Sequence, residues 1–133
     1  MDNKQLACRI KYLCKVQSTA ISHMLDSCHL RKSLIYDLEK RDISISTDAL
    51  DAIADYFHCP ADYLLGRGIF QYWEKIIENK SLIFSYLHYQ FGEAFTQKLL
   101  TLSETDLMRW FNAFIQEVKI NGENIDIIFS LTQ

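Results

Sequence analysis

Apolar residues return every three or four positions along almost the whole chain, and one proline and four glycines are all that interrupt them in 133 residues. Proline and glycine are the two poorest residues in helix interiors, so the pattern constrains the chain to be mainly α-helical. Apolar residues make up 49% and aromatic residues 13%, enough for a packed core and too much for a disordered chain. No apolar run approaches the roughly 18 residues of a bilayer span. The start, "MDNKQLACRI", lacks the apolar stretch of a leader peptide. A cytoplasmic protein with no membrane partner is the expectation.

Leu6, Ile10, Leu13 and Cys14 predict a first helix over about residues 4–15. Ser18 or Thr19 is a natural N-cap for a second, with Ile21, Met24, Leu25 and Cys28 on one face. A third runs over about 31–40. Ser46 caps a fourth, with Asp48 in its first turn and Leu50, Ile53, Ala54 and Phe57 facing inward. "PADYLL" makes a fifth, Pro60 suiting its first position. "GRG" at 66–68 holds half the glycines and marks the expected boundary between two domains, 1–67 and 68–133.

In the second part, Phe70, Trp73, Ile76 and Ile77 predict a sixth helix. Ile83, Leu87, Phe91, Phe95 and Leu99 continue as one long helix or two broken near Gly92. "SETD" at 103–106 has capping-box spacing. It opens a helix carrying Leu107, Phe111, Phe114, Ile115 and Val118, which Asn121-Gly122 would end. The tail "ENIDIIFSL" switches to a period of two, with Ile125, Ile127, Phe129 and Leu131 on one side, and reads as a strand. A lone strand is unstable, so pairing with its twin in a second subunit is one expectation. The aromatic residues of this half suit a core or a dimer interface, with Phe111, Phe114, Ile125, Ile127 and Phe129 as dimerisation candidates.

The cysteines Cys8, Cys14, Cys28 and Cys59 form no CxxC pair, and three lie within apolar patterns. They read as reduced, buried small hydrophobes rather than metal ligands. No Gly-rich phosphate loop, nucleophile elbow or HExxH stretch is present, so neither an enzyme nor a cofactor is expected. Net charge is −3, but residues 1–41 carry eight basic groups against four acidic ones. Positive charge is confined to this first third, as a local electrostatic footprint would be.

Two short helices joined by a turn, the second basic at its start, describe a helix-turn-helix. "MLDSCHLRKSLIYDLEK" and "ALDAIADYFHCPADYLLGR" resemble the lambda-repressor/Cro-type (XRE-like) helix-turn-helix family over about residues 4–68. The resemblance implies a five-helix DNA-binding domain whose third helix enters the major groove. It implies base contacts from Lys32, Ser33 and Asp37, flanking roles for Arg31 and Tyr36, and phosphate contacts from Lys40 and Arg41. The chain departs from the family at Leu25 (often alanine), at His29 and Arg41 (often glycine), and at Ile21 (often polar).

The functional expectation is a dimeric transcriptional regulator, a repressor of phage or mobile-element type, bound to a double-stranded operator. The alternative is a protein-binding regulator, an antirepressor or assembly partner, on the same fold with little DNA affinity. The acidic balance and the family departures support that alternative.

Overall fold

The computed structural model of the protein describes residues 2–130. They are mainly helical, with nine α-helices and one two-stranded antiparallel sheet among the described residues. The chain divides into two units, Met1–Leu65 and Gly66–Gln133.

In the first unit α1 (Asn3–Val16) begins where the Asp2 carboxylate accepts a hydrogen bond from the Lys4 amide at 2.9 Å. Then follow α2 (Ile21–Ser27), α3 (Leu34–Lys40), α4 (Thr47–Phe57) and α5 (Ala61–Leu65). Leu6, Ile10 and Leu13 of α1 face α2, α3 and α5, and Met24, Leu38, Ile53, Phe57 and Tyr63 complete the core. Arg9 is buried too. It donates to the Tyr63 carbonyl at 2.6 Å and lies over the Tyr63 ring, tying α1 to α5. Ser46 caps α4 as its spacing predicts, accepting from the Ala49 amide at 3.1 Å.

Two expectations are corrected here. Neither Ser18 nor Thr19 caps α2, which starts behind Ala20 with no side-chain cap. Ser18 instead has φ 52° and closes α1, where the Thr19 amide reaches the Cys14 carbonyl at 2.8 Å. The third helix starts at Leu34, not at residue 31. The cause lies just upstream. His29 has φ 57°, its amide bonds the Asp26 carbonyl, and the Leu30 amide bonds the Leu25 carbonyl. This is a Schellman ending for α2, and it turns the chain so that 31–33 form a separate turn before α3.

That ending normally takes glycine, because a Cβ is strained at positive φ. His29→Gly is therefore expected to raise the first unit's stability by up to about 1 kcal/mol, less the entropy glycine adds to the unfolded chain. Urea unfolding of the two proteins measures it, and a lower midpoint for the glycine variant would contradict the reading.

In the second unit a 3₁₀ turn (Gly68–Tyr72) leads into α6 (Trp73–Glu78), α7 (Lys80–Phe91), α8 (Glu93–Leu100) and α9 (Glu104–Phe114). The chain does break at Gly92, which has φ 90°. Ser103 caps α9, accepting from the Asp106 amide at 3.2 Å. Phe70, Trp73, Ile83, Leu87, Leu107, Met108 and Phe111 form the core.

The largest correction follows α9. The helix predicted to run on to Asn121 stops at Phe114, and β1 (Ile115–Asn121) pairs antiparallel with β2 (Asn124–Phe129). Val118 sits opposite Ile127 and Ile120 opposite Ile125, with a bulge between Ile115 and Glu117. Gly122, at φ 65°, takes the first position of a two-residue loop. A positive-φ glycine serves a helix end and a hairpin loop equally well, which is why Asn121-Gly122 misleads. The tail strand thus finds its partner within its own chain and needs no twin to pair it. Leu131, assigned to that strand, lies outside the described residues.

Candidate nucleic-acid interface

The basic segment is built on α3 and the turn before it. Leu34, Ile35 and Leu38 face inward, anchoring the helix on α1. Arg31, Lys32, Ser33, Tyr36, Lys40 and Arg41 are left exposed. Helical spacing brings Tyr36 and Lys40 to one side. The Arg41 guanidinium lies 5.6 Å from the Tyr36 ring centroid, a cation–π contact that holds both over the helix end. Lys32 and Lys40 take part in none of the ion pairs between described residues. Glu39 is paired with Lys11 of α1 at 2.6 Å.

Asp37 departs from its expected place. Its carboxylate is not presented to a groove, because the residue is only 4% exposed. Oδ2 accepts from Arg31 Nε at 2.8 Å and from Ser33 Oγ at 3.1 Å, while Arg41 Nη1 lies 3.7 Å from Oδ1. As a base-contacting residue Asp37 is therefore corrected: it is the hub that organises the cationic side chains around it. Only half of this was legible. Arg41 stands four residues on, at helical spacing, but Arg31 is six back, reached only because 31–33 leave the helix.

The hydrogen bond from Arg31 holds the Asp37 carboxyl below the usual aspartate value. Burial pushes the other way, and the Ser33 hydroxyl and the charges of Arg31 and Arg41 add to the lowering. A depressed carboxyl stabilises the fold above the unfolded aspartate value of about 3.9, and that stability is lost as pH falls through the lower folded value. Asp37→Asn should therefore be less stable than wild type at neutral pH, and the gap should begin to narrow as pH falls below about 4. A gap constant from pH 7 to pH 3 in urea titrations would contradict this.

The dimerisation candidates divide. Phe111 is 1% exposed, packed edge-on against Trp73, and Ile127 is 4% exposed. Both belong to the unit's own core and are unavailable to a partner, which corrects their assignment. Phe114 is 53% exposed. Ile125 and Phe129 are half-buried, Phe129 meeting the Phe91 ring at 5.4 Å.

Of the cysteines, Cys14 and Cys59 are buried, Cys28 is half-buried and Cys8 is exposed, and all four are free thiols. Burial pushes the Cys59 thiol up to about 12 and also raises Cys14 and Cys28, which leaves these three poor nucleophiles. Among the described residues no group of three or more His, Cys, Asp or Glu is placed to hold a metal ion. No helix among them is long and apolar enough to cross a membrane.

No protein-family model, curated protein or solved structure matches this chain.

Proposed function

We propose that this chain is a sequence-specific DNA-binding transcriptional regulator of the lambda-repressor-like helix-turn-helix kind, acting in the cytoplasm as a dimeric repressor. The carrying observation is the outward face of α3. Five cationic or aromatic side chains are exposed on α3 and at its two ends, Arg31 and Lys32 in the turn before it, Tyr36 and Lys40 on the helix and Arg41 at its C-cap, while Leu34, Ile35 and Leu38 anchor the other face. They lie within the only third of the chain that is net positive. A helix of this kind fits the major groove, its leading residues at base edges and its far end at phosphates.

A dimer follows from the electrostatics. One module offers few phosphate contacts, and residues 42–133 are acidic overall, so a single module binds weakly. Two modules on a twofold axis read a near-palindrome with half-sites about one helical turn, roughly 34 Å, apart. Bound over a promoter, such a dimer represses by occlusion.

Selection of bound fragments from random DNA at stated salt tests this reading. A near-palindromic consensus is the expected result, and no enrichment with a well-folded protein would reject it.

One observation favours the second reading, a regulator that binds a protein. Asp48, Asp51 and Asp55 are exposed on α4 at spacings of three and four residues, an acidic stripe that suits a basic partner and repels DNA.

A further inference from the structure

From the side chains around α3 we infer that Arg31 reads a guanine, and that buried Asp37 is the positioning residue that aims it. This rests on the DNA-binding reading above and specifies its chemistry at one position. Arg31 is 51% exposed along its side chain, yet its Nε is held by Asp37 Oδ2 at 2.8 Å. That bond restrains the guanidinium at Nε and leaves its two η nitrogens, a pair of parallel donors, unengaged by Asp37. Such an edge matches the O6 and N7 acceptors of guanine in the major groove, the commonest specific contact to a base.

Phosphate attraction does not explain the arrangement as well. A phosphate contact needs charge and little aim, and a carboxylate beside the arginine weakens the charge. Asp37 is itself held by Ser33 Oγ at 3.1 Å and is 5% exposed along its side chain, so the support is rigid. Rigid support of a half-exposed arginine favours a contact in which direction matters. Arg31 also stands in the turn that precedes α3, the end from which a helix in the groove meets base edges.

The test uses the full chain and a panel of duplexes built on the selected consensus, with each base pair replaced in turn. Wild type should lose about 5- to 150-fold in affinity when one particular G·C pair of each half-site is changed. Arg31→Lys keeps the charge and a cation able to pair with Asp37. It should bind with an unchanged salt slope but lose most of that preference. Asp37→Asn should lose the same preference while keeping or gaining affinity for unrelated DNA, because a negative charge is gone. A purely structural role for Asp37 would not move the preference of one base pair.

If Arg31→Lys weakens binding to every duplex alike, Arg31 contacts phosphate and the inference fails, as it does if either variant keeps the preference. In both cases the DNA-binding reading survives. Folded wild-type protein that binds no duplex overturns both.

Discussion

Trp73→Ala is expected to cost the second unit about 3–5 kcal/mol, the usual range for deleting a fully buried large aromatic side chain. Trp73 is 1% exposed, with the Phe70 and Phe111 ring centroids both at 5.4 Å. Its indole nitrogen donates to Glu104 Oε2 at 3.3 Å, linking α6 to the first turn of α9. Truncation removes the packing of both rings, leaves a cavity that the short helices around it cannot fully close, and breaks that link. Domains of this size have stabilities of roughly 0.05–0.15 kcal/mol per residue, so the loss takes most of what holds the unit folded. Trp73→Phe, which keeps an aromatic ring, should cost far less. Trp110 is the chain's other tryptophan and meets the Phe111 ring edge-on, so its fluorescence during urea unfolding reports the change. A midpoint within error of wild type for the alanine variant would show that Trp73 does not hold this core.

Lys32→Ala combined with Lys40→Ala should lower DNA affinity by about 10- to 100-fold near physiological salt and flatten the log–log salt dependence by about 1 to 2 per module, Lys40 at a phosphate supplying the first unit. Each phosphate neutralised releases condensed counterions, so each lost contact removes roughly 0.9 from the slope. The two lysines are chosen because they are exposed and outside the described ion pairs, so removing them leaves no carboxylate stranded. Lys11→Ala is the contrast. It would free Glu39, its partner at 2.6 Å, and is expected to affect stability by no more than about 1 kcal/mol. Anisotropy titrations of a labelled duplex at several salt concentrations measure both quantities. A double variant with wild-type affinity and slope would remove α3 and the turn before it from the DNA-facing surface.

Much of the helical layout was legible because each signal was local. Ser46 and Ser103 are legible as caps, since a side-chain oxygen three residues before a free amide, ahead of an apolar periodic run, has one main use. Gly92 breaks a run of apolar residues repeating every four positions, and the helices part there. The start of α3 was not legible, because it depends on Asp37 gathering Arg31 and Ser33 and on His29 entering a conformation usually left to glycine. The place of Asp37 is hidden from the sequence for the same reason. A charge on a short helix looks solvent-facing in sequence, and only the fold reveals that two arginines and a serine compensate its burial.

By itself the sequence determined the helical class, the two-part division near residue 66, the buried apolar faces and the confinement of positive charge to the first third. These follow from periodicity, capping chemistry and composition, which act over a few residues. Only the tertiary structure decided that Ile115–Asn121 is a strand. Val118 and Ile120 fit a helix face or a pleated edge equally well, and β2 pairing across the Gly122 loop chose between them. It also placed Phe111 and Ile127 in the core instead of at a dimer surface, and drew Asp37 inward beneath the arginines. Both outcomes depend on contacts between residues distant in the chain or outside helical register, which no local pattern encodes.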